Sequence, residues 1–130
     1  MPTPAEMRAT IGRYLDCVGR QDVDGVIALM SDDVSIEDPV GGPPGTHVVG
    51  RDSVERFFRA GFAASRPRPR SPGPVCTTAI DQAAFAFVLE LDLHGVRSEL
   101  DVIDVMRFDG AGRIRELRAF WNLHEARRAS

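Results

Sequence analysis

Two carboxylates and one phenol are placed by their neighbours to face an apolar interior. Asp104 lies within Val102-Ile103-Asp104-Val105-Met106-Arg107-Phe108. Successive strand residues point to opposite faces, so Val102, Asp104, Met106 and Phe108 share one. A carboxyl group among those side chains loses hydration. Its charged form is disfavoured and its pKa rises. Neutral, it donates a hydrogen bond, and an unpaired buried acid is costly enough that a role should be sought for it. Asp38 is the second case. Val34 and Ile36 define the inner face of Val34-Ser35-Ile36-Glu37-Asp38, and Asp38 continues it to the strand end, where Pro39 stops the ladder. Glu37 points outward as a solvated charge. The third is Tyr14, the only tyrosine. Met7, Ile11, Tyr14 and Val18 recur at helical spacing, so the phenol lies on a buried stripe and its O–H needs an interior partner. Singly, an inward strand-end aspartate also serves as a turn cap and a buried tyrosine as ordinary core. Asp104, in mid-strand, fits neither description.

The elements that must carry these groups follow from periodicity and turn chemistry. A first helix spans about Pro4 to Arg20. A short second one follows, with Asp22 as N-cap and Val23, Val26, Ile27 and Met30 inward. A strand then carries Val34 to Asp38, and the run from Pro39 through Gly45 to Thr46 is loop. A third helix starts near Asp52, which with Glu55 suggests a capping box, and it buries Val54, Phe57, Phe58 and Phe62. Ser65 to Pro74, rich in Pro and Arg, reads as an exposed extended segment. The second half is strands: Val75 to Ile80; an alternating run from Phe85 to Leu93; a His94-Gly95 turn; the strand of Asp104; a turn at Asp109-Gly110; and a last strand, Arg113 to Trp121. In that last strand Leu117, Ala119 and Trp121 share a face, and Ile114 breaks the alternation as a bulge would. Helices first and a mostly antiparallel meander last predict an α+β fold, a curved sheet wrapped around three helices, in a single domain over residues 1–130.

Composition narrows the function. A chain of 130 residues, 43% hydrophobic and 27% charged, buries a substantial core. Its net charge of −3, with every cation an arginine, offers no basic surface for nucleic acid. No apolar run is long enough to span a membrane, and the N-terminus shows no signal-peptide pattern. Cys17 and Cys76 lack metal or redox spacing, and the expectation is a cytoplasmic protein with reduced cysteines. His47, His94 and His124 are scattered and read as turn or surface residues.

Taken in order, Arg13-Tyr14-Leu15, Glu37-Asp38-Pro39 and the motif from Asp101 to Asp109 resemble the bacterial ketosteroid isomerase (steroid delta-isomerase) family. The likeness runs from about residue 5 to 122. It includes the Gly/Pro loop at Gly42, Pro43 and Pro44, Gly50-Arg51, Gly73-Pro74-Val75 and Ala119-Phe120-Trp121. The resemblance implies a cone-shaped α+β fold, a homodimer and a deep apolar steroid pocket. It implies that Asp38 is the general base for a 5-ene-3-ketosteroid, and that Tyr14 and a protonated Asp104 are the donors to the dienolate oxygen. It implies a pocket bounded by Phe57, Phe87, Leu89, Leu91, Val102, Met106, Leu117, Ala119 and Trp121, and no metal or organic cofactor. Ile114 and Phe120, on the outward phase of the last strand, are expected to supply apolar area for the dimer. Two departures stand out. Met30 and Phe58 occupy positions where some members carry tyrosines that support the catalytic one, and the loop from Val40 to Val49 is longer than the family pattern. The wider superfamily also holds cyclases, hydrolases and noncatalytic ligand binders. Epoxide opening calls for an extra base or arginine around a positioned water, and no such set stands out. A binder would tolerate loss of Asp38, which is present.

Overall fold

The computed structural model describes residues 1–130. Helix α1 (Pro4–Gly19) starts at Thr3, whose hydroxyl accepts from Glu6 N–H while Glu6 returns a bond to Thr3 N–H, closing a capping box. Its stripe of Met7, Ile11, Tyr14 and Val18 is buried. Helix α2 (Val23–Ala28) is capped by Asp22, as its sequence predicts. Helix α3 (Arg51–Ser65) is not capped by Asp52: its N-cap is Gly50, at φ 90, with no side-chain bond. Asp52 already lies inside the helix, so the expected capping box is absent. α3 turns Val54, Phe58 and Phe62 to the core, while Phe57 is half-buried.

Eight strands make one sheet: β1 (Met30–Glu37), β2 (His47–Val49), β3 (Arg68–Arg70), β4 (Cys76–Thr77), β5 (Gln82–Leu93), β6 (Val96–Phe108), β7 (Ile114–Phe120) and β8 (Arg127–Arg128). The main order is β2-β1-β7-β6-β5-β3. All pairings are antiparallel except β1 with β7, which is parallel. The three helices pack within the curve of this mixed, mostly antiparallel sheet, so the expected α+β cone is the observed fold.

Three further local expectations change. The strand expected over Val75 to Ile80 shrinks to Cys76–Thr77, and Ile80 is 57% exposed, because the chain turns at Thr78 to bond back to Gln82. The Pro/Arg-rich segment is not merely exposed loop. It contributes β3, whose Pro69 pairs opposite Leu89 with the proline at the sheet edge, where its missing N–H costs nothing. Ile114 is fully buried rather than outward. The register slips between Arg107 and Phe108 on β6 opposite the start of β7, and this bulge turns Ile114 into the core. Cys76 is exposed.

Candidate active site

The geometry of the two longest strands sets the site. Asp104 pairs with Phe85 on one side and with Ala119 on the other. Ala119, a single methyl beside the acid, leaves open space in front of it. Leu100, Val102 and Asp104 face that space from β6, and Phe87, Leu89 and Leu91 face it from β5. The result is a cavity of about 300 Å³ with 20 lining residues, 14 of them hydrophobic. Tyr14, Asp38 and Asp104 all line it, although they lie on a helix, at a strand end and in mid-strand.

Each polar group is shaped by burial. Asp104 is 3% exposed, and desolvation holds its carboxyl well above the usual carboxylate range; the nearby Asp38 charge adds to the shift. Tyr14 is 5% exposed. Desolvation pushes its phenol well above the ordinary tyrosine value, with Asp104 and Asp38 contributing, so it keeps its proton. That mutual influence puts the three groups within electrostatic reach of one another. Phe58 meets the Tyr14 ring edge-on at 6.4 Å between centroids, and Met30 is fully buried nearby in the same core. Neither offers the phenol a hydrogen bond.

Asp38 has a different environment. As a residue it is only half-buried, but its carboxyl group lies in apolar surroundings, which push its pKa up. The opposing effect is a hydrogen bond: Trp121 Nε1–H donates to Asp38 Oδ1 at 2.6 Å. Parallel pairing explains this contact. Ile36 and Glu37 of β1 sit opposite Leu117 and Arg118 of β7, so the two chains leave the sheet at the same end, Asp38 directly after β1 and Trp121 directly after the slightly longer β7. The loop after Asp38 is tied down as well. Asp38 N–H donates to Thr46 O at 2.8 Å, and Val40 N–H to Ala119 O at 2.8 Å. Glu37 is turned away, toward Arg118 and Gly41 N–H.

Of the residues named from sequence, Tyr14, Asp38, Asp104, Phe57, Phe87, Leu89, Leu91, Val102, Ala119 and Trp121 line the cavity. Met106 and Leu117 do not. They pair with each other and are fully buried in solid core beyond Asp104. They share the inward face with Asp104, but they belong to the buried core cluster with Met30, Ile36 and Ile11. The sequence reading missed Leu15, Val18, Phe58, Phe62, Pro67, Pro69 and Leu100 as cavity residues. Leu100 carries a visible signal, being in phase with Val102 and Asp104. The prolines carry none, because their inward face depends on β3 joining the sheet. The Trp121–Asp38 bond joins residues 83 apart and is likewise invisible in sequence. No group of three or more His, Cys, Asp or Glu side chains is arranged to hold a metal.

Comparison with known proteins gives the family and the fold. The SnoaL-like domain family matches residues 11–117. A "Steroid Delta-isomerase" from Nocardioides simplex is 36% identical over 118 residues, which is 90% of this chain and 90% of that protein. This chain is a member of the ketosteroid isomerase family. RV0760c from Mycobacterium tuberculosis has the same fold, with a TM-score of 0.86 at 28% identity over 99% of this chain and all of that one. The same protein has been solved in complex with estradiol-17beta-hemisuccinate, at 29% identity and a TM-score of 0.83 over 94% of this chain and 98% of that one. SalBIII, an epoxide hydrolase/cyclase-like enzyme of salinomycin pyran ring formation, superposes with a TM-score of 0.87 over 99% of this chain and all of that one. At 22% identity it speaks to the fold alone. No helix of this ketosteroid isomerase family member is long and apolar enough to cross a membrane.

Proposed function

We propose that the protein is a steroid delta-isomerase, which moves the 5-ene double bond of a 3-ketosteroid into conjugation. The observation that carries this reading is the contrast between two acids in one apolar cavity. Asp104 is sealed among apolar side chains without a donor, whereas Asp38 takes the Trp121 N–H at 2.6 Å. Environments of that kind favour a neutral acid at Asp104 and a carboxylate at Asp38.

Asp38 removes a proton from carbon 4 of the substrate. The C–H electrons form the carbon 3–carbon 4 double bond, and the carbonyl electrons move to oxygen, giving a dienolate. The Tyr14 O–H and the protonated Asp104 O–H donate to that oxygen from a buried, largely apolar wall, where such donors act more strongly than in water. Asp38 then returns the proton to carbon 6. The oxygen electrons restore the carbonyl, and the carbon–carbon double bond settles between carbons 4 and 5. Proton and electrons balance within the substrate and one carboxylate. The chemistry calls for no cofactor, because the carbonyl itself acidifies the adjacent C–H. Identity to the Nocardioides relative and steroid binding by RV0760c support this substrate class.

We also propose a homodimer through the outer sheet face. Ile103 and Phe120 pair across β6 and β7 and are 48% and 40% exposed, an outward apolar patch that a second copy covers. The deciding experiment is a spectrophotometric assay with 5-androstene-3,17-dione, following conjugated enone absorbance, on the parent and on Asp38→Asn. Turnover in the parent, lost by roughly two to four powers of ten in Asp38→Asn, is the expected result. A parent that binds steroid without turnover would instead make the protein a noncatalytic binder.

A further inference from the structure

The turn that carries Asp38 is closed by the side chain beside it. Glu37, the last residue of β1, reaches forward and accepts from Gly41 N–H at 3.2 Å through Oε2. Its other oxygen, Oε1, stands 3.7 Å from Nε of Arg118, its cross-strand partner on β7. Arg118 lies in turn over the Phe120 ring, 5.3 Å from the centroid. One carboxylate thus bridges residue 37 to residue 41 around Asp38, Pro39 and Val40, and ties that bridge to the neighbouring strand. The Glu37 side chain is 30% exposed, so it is not the freely solvated charge that its outward phase suggests.

The loop has no charged side chain of its own between residues 39 and 46. Gly41 stands at φ 70, which glycine adopts without strain. Gly42 is packed so closely that a Cβ there would lie 2.9 Å from Pro39 Cδ and from Thr46 Oγ1. The Asp38 carboxyl itself holds a single hydrogen bond, the one from Trp121. Its aim therefore depends on where the backbone of this turn puts it. A general base must sit within hydrogen-bond reach of the proton it takes, and a misplacement of about 1 Å can lower the rate by about 10²-fold.

We propose that Glu37 is a positioning residue for the general base: by accepting from Gly41 N–H, with Arg118 as its anchor, it closes the turn and holds the Asp38 carboxylate against Trp121 and toward the substrate. The inference rests on the isomerase reading above. Glu37 does not line the cavity and acts through Asp38.

The test uses the full chain. Glu37→Ala removes the acceptor, whereas Glu37→Gln keeps an acceptor oxygen for Gly41 N–H. With 5-androstene-3,17-dione, Glu37→Ala should lower kcat about tenfold with KM within about twofold, and Glu37→Gln should stay within about threefold of the parent. In an Asp38→Asn background the same alanine substitution should cost less than about twofold, because residues that act as one unit do not add. A tenfold loss there as well overturns the proposal and makes Glu37 a fold residue. So does an unchanged kcat in Glu37→Ala, or a glutamine variant as impaired as the alanine one.

A second readout needs no turnover. Trp121 is the only tryptophan, and its N–H bond to Asp38 should make its emission titrate with that carboxyl. Tyr14 and Asp104 in the cavity, Arg118 on β7 and His47, opposite Glu37 on β2, are the other ionisable groups nearby. Asp38→Asn identifies the step by abolishing it. Burial raises the Asp38 pKa and the Trp121 bond lowers it, so loosening that bond in Glu37→Ala should move the midpoint up by about half a pH unit or more. A midpoint that stays or falls overturns the proposal. In a protein without turnover, a raised midpoint would sink the isomerase and keep the positioning role, and an unmoved one would overturn both.

Discussion

Replacing Trp121 by Phe keeps an aromatic ring beside the cavity and deletes one N–H. That N–H meets Asp38 Oδ1 at 2.6 Å, a short hydrogen bond to a group that is charged when it acts as base. Hydrogen bonds to charged groups contribute about 1.5–3 kcal/mol. At about 1.4 kcal/mol per pKa unit, losing this one should raise the Asp38 pKa by roughly one to two units. The direction follows from the balance at the site: burial already pushes the carboxyl up, and Trp121 is the one group opposing it. Turnover needs Asp38 as carboxylate, so the acid limb of the pH–rate profile should move to higher pH by the same one to two units. Below that limb the variant should lose about tenfold or more in kcat. Above it the loss should shrink, because a more basic carboxylate is a better proton acceptor. The assay is enone formation from 5-androstene-3,17-dione at closely spaced pH values. Steroid affinity would be measured in parallel by an absorbing or fluorescent phenol. An acid limb that stays in place while kcat falls at every pH would refute the reasoning and reduce Trp121 to a wall of the pocket.

Further outcomes follow from the same groups. Asp104→Ala removes one oxyanion donor and should lower kcat by about 3 kcal/mol in barrier, whereas Asp104→Asn keeps a weaker donor and should do less harm. With Phe58 and Met30 giving the phenol no support, Tyr14→Phe should be at least as damaging as Asp104→Ala; affinity for a phenolate that mimics the dienolate checks both. The raised folded-state pKa of Asp104 makes folding favour its protonated form. Stability is therefore full below the unfolded value near 3.9 and falls as pH rises toward the folded value, by about 1.4 kcal/mol per pH unit. Asp104→Asn should flatten that part of the urea-stability curve between pH 5 and 7 and make the protein more stable than the parent at neutral pH, a gain that denaturation at two pH values would reveal or deny. Phe120→Asp, on the outward patch with Ile103, should shift sedimentation from dimer to monomer at micromolar concentration, while a stable monomer in the parent would dispose of the dimer.

Much of the molecule was legible in one dimension because its signals are local. The stripe Met7, Ile11, Tyr14 and Val18 is buried as its spacing requires, since a helix of 3.6 residues per turn has only one face for it. The alternation Leu100, Val102, Asp104, Met106 and Phe108 puts all five inside, because strand side chains alternate whatever the fold around them. Hence the burial of Asp104 and Tyr14, and an α+β chain with its helices first, could be read before any coordinate. Where a strand faces inward is local; what it faces is not. Met106 and Leu117 share the phase of Asp104, yet one pleat farther on they are solid core. Ile114 turned inward because its own strand carries one extra residue, Arg115, between the partners of Arg107 and Phe108, which shifts the alternation by one. Pro67 and Pro69 joined the cavity only once β3 paired with β5, and Trp121 found Asp38 only because β1 and β7 run parallel and leave the sheet at the same end. Those four outcomes depend on contacts between residues far apart in the chain. Local periodicity sets which way each side chain points, and the curvature and pairing of the whole sheet decided which of those inward groups meet in open space.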